Sequence, residues 1–139
     1  MGSMLVHHVK FIFKFYKPVS FKKLSYYSIW FYSIFIKQAI NYIDEHLTDD
    51  MTLETIAESV HSNASYLSRI FKKEVGTSVI TYITDLRIKK AKDLLEHSDL
   101  KTFEISDAVG IHDPAYFSVL FKKYTGMSPK SYRNKADSL

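Results

Sequence analysis

Residues 65–78 read SYLSRIFKKEVGTS and residues 115–128 read AYFSVLFKKYTGMS. Tyrosine, serine, Phe-Lys-Lys, glycine and serine recur in register at an offset of 115 − 65 = 50. A repeat of this period marks one supersecondary unit used twice, and that restricts the folds open to the chain before any other feature is considered. The repeat also extends upstream. Residues 105–109 follow residues 56–60 at an offset of 49, and one extra residue within GIHDP brings the offset to 50. With 139 residues the chain can form one compact domain, or two very small ones sharing a core.

Each copy reads as a short helix, a turn and a second helix. Thr52 is a candidate N-cap for a helix over 53–60 that turns Leu53, Ile56 and Val60 inward. His61-Ser62-Asn63 makes the turn, and the Ser62 hydroxyl is placed to cap the next helix, which ends at Gly76. In the second copy Asp113-Pro114 combines an N-cap with proline at the first helical position, and the helix runs to Gly126. Residues 78–97 read as one long helix with Ile80, Ile83, Ile88, Ala91, Leu94 and Leu95 available to pack. Upstream, Ile36, Ala39, Ile40, Ile43 and Leu47 form one apolar stripe of a helix that starts near Phe35. A last short helix is expected over about 128–134, with 135–139 as a tail. The expected fold is all-α: two helix-turn-helix subdomains, over about 52–76 and 102–126, joined by a long linker helix.

Residues 4–35 differ from the rest, holding 11 of the chain's 21 aromatic residues. KFIFKFYK at 10–17 alternates Phe11, Phe13 and Phe15 at period two and suggests a strand ending at Pro18. YYSIWFYSIFI at 26–36 is uncharged, but its eleven residues fall short of the roughly 20 that a membrane-spanning helix needs. The segment reads as the remnant of an upstream region or a linker; pairing of two copies of the chain through it, as a homodimer, is the alternative. Residues 1–3, Met-Gly-Ser before Met4, read as an expression scar outside the fold.

The net charge of +4 comes from that segment, because residues 1–35 hold five lysines and no acid. The remainder carries 19 − 5 = 14 basic against 15 acidic groups, so charge placement has to be examined instead. At 100° per residue Leu67, Ile70 and Phe71 point inward, while Ser62, Ser65, Arg69 and Lys72 point outward, flanked by Asn63, Tyr66, Ser68 and Lys73. In the second copy Phe117, Leu120 and Phe121 point inward; Ala115, Val119 and Lys122 point outward, with Tyr116 and Lys123 beside them and His112 near the helix start. No acid occurs over 62–73 or 114–126, whereas acids gather at 44–58 and 93–107. Each lysine pair alone fits a solvated helix end favoured by the macrodipole. Tyr66 and Tyr116 alone fit packing against a turn. Two basic faces at matched positions point instead to duplex DNA, with the second helix of each unit entering a major groove. A linker of about 20 residues spans roughly 30 Å, close to the roughly 34 Å between successive major grooves on one side of the duplex. Arg87 lies on the packed side of the linker and is expected to make structural hydrogen bonds.

These stretches, IAESVHSNASYLSRIFKKEVGTS, YITDLRIKKAKDLLEHS and ISDAVGIHDPAYFSVLFKKYTGMSPKSYR, resemble the AraC/XylS family of bacterial transcription regulators. The resemblance covers about residues 36–134 and implies the C-terminal DNA-binding domain of that family, a homeodomain-like pair of about seven helices. It further implies binding to promoter DNA and activation through RNA polymerase. Ser65 and Arg69 occupy its base-reading positions in the first unit, Ala115 and Val119 in the second. Members often have arginine where Val119 stands, and alanine or an apolar residue where Ser106 and Thr102 stand, changes expected to loosen packing in the second unit. Arginine can bond guanine O6 and N7 together, whereas alanine and valine can only touch a thymine methyl. Residues 4–35 are too short for a sugar-binding barrel or a receiver domain.

No acid–base or metal constellation converges, and the chain has no cysteine, so an enzyme, a cofactor and a metal site are not expected. A methyl-accepting repair function of the kind attached to some such domains needs cysteines. The absence of cysteine fits a reducing compartment, and the expected location is cytoplasmic and nucleoid-associated, with no membrane partner. The alternative function is a degenerate helix-turn-helix module that binds another protein through its aromatic N-terminal segment.

Overall fold

A computed structural model describes residues 21–136, with side chains described from Trp30 onward. The described residues form seven helices and no strand. They are α1 (Phe21–Glu45), α2 (Leu53–Ser59), α3 (Ala64–Val75), α4 (Val79–His97), α5 (Thr102–Ala108), α6 (Pro114–Thr125) and α7 (Pro129–Ala136). The strand expected over 10–17 lies outside the described residues. The helical pattern begins at Phe21 rather than near Phe35, because nothing between 21 and 45 is glycine or proline and no residue there interrupts a helix. The chain divides into two compact units, Met1–Ile34 and Phe35–Leu139. In the first, Trp30 is exposed and the Phe31 and Tyr32 rings lie 6.3 Å apart.

Within Phe35–Leu139 the long helix α4 is the spine, packing against α3, α5 and α7. Its first turns bury Val79 and Ile83 alongside the interior of the first repeat, where Ile56, Leu67 and Phe71 are inaccessible to solvent or nearly so. Its later turns give Ile88, Ala91 and Leu95 to a second core with Ile105, Val109, Ile111, Phe117 and Phe121. Ile80 departs from the expected packing set: it is 55% exposed, because Val79 and Ile83 already occupy the face of α4 turned to the core.

The repeat is a three-helix unit, longer than the sequence match suggested. Ser78 caps α4 by accepting from the Thr81 N–H at 3.1 Å, and Ser128 accepts from Ser131 N–H at 3.2 Å. Tyr82 meets Phe71 edge-on with ring centroids 5.4 Å apart, and Tyr132 meets Phe121 edge-on at the same 5.4 Å. Both pairs stand at the 50-residue offset, so the start of α4 closes the first unit as α7 closes the second. Burial raises the pKa of the Tyr82 phenol above its usual value, helped by the charge of Asp44. For Tyr132 the hydrogen bond to Glu96, 2.6 Å long, is the main cause of the upward shift.

An arginine fastens each unit to the loop that precedes it. The Arg87 guanidinium donates to the Leu47 carbonyl at 3.0 Å and the Asp49 carbonyl at 2.8 Å, the structural role expected of it. Arg133 does the same for the second unit, donating to Leu95, Ser98 and Leu100 carbonyls at 3.3, 3.3 and 2.7 Å. Burial lowers the pKa of Arg87, partly offset by Asp50, yet a guanidinium stays charged under ordinary conditions.

Candidate nucleic-acid interface

The two turns are built from the same main-chain bonds. Val60 and Val109 end α2 and α5. In the first turn the His61 N–H donates to the Glu58 carbonyl at 3.0 Å and Ser62 N–H to Ala57 at 2.8 Å. In the second, Gly110 N–H donates to Asp107 and Ile111 N–H to Ser106, both at 2.9 Å. This is the Schellman arrangement, which places its C′ residue in left-handed backbone. His61 adopts φ 54° and Gly110 φ 79° accordingly. The residue inserted in the second turn is therefore His112, standing between Ile111 and the capping Asp113.

What starts each outer helix differs from expectation at one point. Asn63, not Ser62, caps α3: its Oδ1 accepts from Tyr66 N–H at 2.9 Å. The Ser62 hydroxyl instead faces the Asn63 carbonyl at 3.5 Å. Asn63 stands 50 residues before Asp113, which caps α6 through Ala115 and Tyr116 N–H groups at 2.9 and 3.0 Å with Pro114 at the first position. Ser106 is likewise not a source of looseness. It is fully buried, and its hydroxyl donates to the Ile111 carbonyl, tying α5 to the turn.

On α3, Ser65, Arg69, Lys72 and Lys73 are exposed and Tyr66 and Ser68 half-buried, as is Ser62 in the turn before it, with Leu67, Ile70 and Phe71 facing the core. Tyr66 meets the buried Phe35 ring edge-on at 5.7 Å, and the Arg69 guanidinium lies 5.4 Å over the Tyr66 ring. The arginine thus has an aromatic support while remaining exposed. Lys73 lies 3.8 Å from Glu74, a contact between exposed groups. On α6, Ala115, Tyr116, Val119, Lys122 and Lys123 are exposed, with Val119 at 69% and Tyr116 at 57%. The Ser118 hydroxyl is engaged with the Pro114 carbonyl at 2.9 Å. His112 turns its ring between two carboxylates, Nδ1 at 2.6 Å from Asp107 and Nε2 at 3.9 Å from Asp50. Its ring thus faces one acid of α5 and one of the loop before α2.

The α3 and α6 faces are thus matched in backbone and unequal in chemistry. Both end in an exposed Lys-Lys pair ahead of a left-handed glycine, Gly76 and Gly126. Only the first carries a guanidinium at its centre. Sequence reasoning missed Arg133 and the two tyrosine–phenylalanine closures; the Ser78/Ser128 and Tyr82/Tyr132 pairs at the same offset were the signal for the latter. No helix among the described residues is long and apolar enough to cross a membrane.

Two short helix pairs on a common spine, each presenting an outward second helix, define a helix-turn-helix DNA-binding domain. A helix-turn-helix domain family matches residues 56–135. The arabinose operon regulatory protein of Escherichia coli K12 is 36% identical over 99 residues, covering 70% of this chain and 34% of that protein. AdaA of Bacillus subtilis 168, a bifunctional transcriptional activator and DNA repair enzyme, is 37% identical over 92 residues, covering 66% of this chain and 44% of that protein. The C-terminal domain of AraT, a response regulator from Geobacillus stearothermophilus, superposes with a TM-score of 0.71 at 40% identity, over 73% of this chain and 84% of that one. The chain belongs to the AraC/XylS family, as a DNA-binding domain of the AraC type. Its family and relatives are transcription regulators rather than enzymes, AdaA being the bifunctional case. The chain spans between 33% and 44% of the length of the curated relatives it matches.

Proposed function

We propose that the protein is a sequence-specific DNA-binding transcription regulator that places α3 and α6 in adjacent major grooves of promoter DNA. The observation that carries this is the duplicated unit whose two outward helix faces are basic, free of acid and matched in position. The spine between them has 19 residues, about 28 Å at the α-helical rise, against roughly 34 Å between neighbouring major grooves. In this reading Arg69 and Ser65 read base edges, Ala115 and Val119 pack on thymine methyls, and Lys72, Lys73, Lys122 and Lys123 meet phosphates. Ser62, Asn63, Tyr66, Ser68 and Tyr116 line the flanks of the same two helices. His112, turned toward Asp107 and Asp50, is left out of the base-reading set. In the whole protein the domain activates transcription by contacting RNA polymerase in the cytoplasm, a reading that family membership supports; residues 4–35 are the remnant of an upstream region or a linker, with pairing of two copies through that aromatic segment as the alternative.

Selection of bound sequences from random duplex DNA, followed by salt titration of the winners, tests the reading. A DNA-binding role predicts a linear fall of log affinity with log salt, with a slope near −0.9 per phosphate neutralised. Failure to enrich any sequence, or binding without salt dependence, overturns it.

A further inference from the structure

The two turns share their bonds but not their surroundings. His61 is exposed. Gly110 is buried, and a Cβ on it would lie 2.8 Å from the Leu47 carbonyl oxygen and 2.9 Å from the Thr48 Cα. Those atoms are main chain, so they cannot swing aside as a flexible side chain would. The loop they belong to lies between α1 and α2, in the first repeat, while Gly110 lies in the turn of the second. The same Leu47 carbonyl accepts the Arg87 Nε–H at 3.0 Å, and Asp49 accepts a second bond from that guanidinium at 2.8 Å. The loop is thus held from the α4 side by charge-assisted hydrogen bonds and from the α5–α6 side by close backbone contact.

We propose that this clamped loop sets the angle between the two groove-reading helices, making Gly110 and Arg87 positioning residues for simultaneous binding of two sub-sites. The proposal rests on the two-groove reading given above. Apart from the clamp and an exposed His112–Asp50 pair at 3.9 Å, the shared element of the two units is α4, about which each could rock. With the clamp, α6, which begins four residues after Gly110, is referred to a fixed point on the first unit. Relieving a 2.8 Å contact to an ordinary 3.4 Å moves that reference by about 0.6 Å, and α6 moves with it. Simultaneous engagement of two sites depends on such geometry, because the gain from a second site vanishes when the spacing is wrong.

The test uses the full chain and duplexes that carry both sub-sites returned by selection. The spacing between the sub-sites is varied by one and two base pairs, and companion duplexes have one sub-site scrambled. Measurements are made where far-UV circular dichroism of each variant matches the wild type. The wild type is expected to show a sharp spacing optimum. Arg87→Gln should lose about tenfold in affinity at that optimum and show a flattened profile, while binding the duplex with a scrambled α6 sub-site as the wild type does. Gly110→Ala should move the optimum; Arg87→Gln carries the test if the alanine variant does not fold. An Arg87→Gln profile of wild-type shape overturns the proposal, and so does an equal loss on the scrambled duplex, which marks a stability role only. A wild type that needs both sub-sites but accepts every spacing removes the fixed angle and leaves the two-groove reading intact. A wild type indifferent to scrambling removes both.

Discussion

Set side by side, the two turns show how one backbone design can be free in one setting and constrained in another. Both use the same pair of main-chain hydrogen bonds and both place their C′ residue in left-handed backbone. The first turn accepts histidine there because its side chain projects into solvent. The second has the 47–48 main chain against it, which leaves room for glycine alone. Left-handed conformation costs a non-glycine residue roughly 1–2 kcal/mol, and the first turn bears that cost. A repeat therefore preserves local geometry, while the contacts between repeats decide which positions can drift.

The largest effects should show how far the two units are equivalent in their cores. Phe71→Ala and Phe121→Ala each remove a fully buried ring and should cost about 3–5 kcal/mol in urea denaturation. Losses differing by more than about 1 kcal/mol would show that one core collapses around its cavity and the other does not. The turns come next. Gly110→Ala should cost about 2–4 kcal/mol from left-handed strain plus overpacking, while His61→Ala changes stability by under about 0.5 kcal/mol. Equal losses at the two positions would erase the contrast drawn between them.

The reading faces should differ on a smaller scale. Arg69→Ala is expected to lose about 1–3 kcal/mol of binding to the selected duplex and to relax one base position, whereas Val119→Ala loses under about 0.5 kcal/mol. Equal losses in titration would contradict a first unit richer in hydrogen-bonded readout. His61→Gly should raise stability by about 1 kcal/mol, measured as a shift in the denaturation midpoint. The smallest effect is alkaline. Tyr82 and Tyr132 both have folded-state pKa values raised above 10.0, so the folded chain keeps protons that the unfolded chain releases. Stability from these groups is fully present below about pH 10 and is lost as pH rises through the folded values. The double variant Tyr82→Phe/Tyr132→Phe should show a shallower alkaline decline, followed by thermal melts from pH 9 upward.

Much of the fold was legible because its signals are local. Thr52, Asp113, Gly76 and Gly126 sit where capping chemistry requires them, and the core faces of α3 and α6 follow helical spacing. The Ser62 assignment failed because serine and asparagine are both good caps one residue apart; the offset linking Asn63 to Asp113 carried the answer. Ile80 is apolar on a helix whose core-facing positions were already filled, and composition does not record that. Ser106 looked like a packing flaw because the carbonyl that receives its hydroxyl lies across a turn. Gly110 was hidden most deeply. Its constraint arises from residues more than sixty positions upstream, and no window along the chain contains both partners. Of the candidate interface, the basic rows were visible from spacing, but the Phe35–Tyr66–Arg69 stack depends on how α1 crosses α3.

The segment that Gly110 and Arg87 grip is recognised wholly through its peptide groups: the Leu47 and Asp49 oxygens and the Thr48 α-carbon. Spelling there is consequently cheap and counting is not. Exchanging the exposed side chains at 48 and 49 preserves every gripped atom, whereas deleting or adding a single residue shifts all of them out of place, so the stretch works as a gauge whose graduation is its number of links.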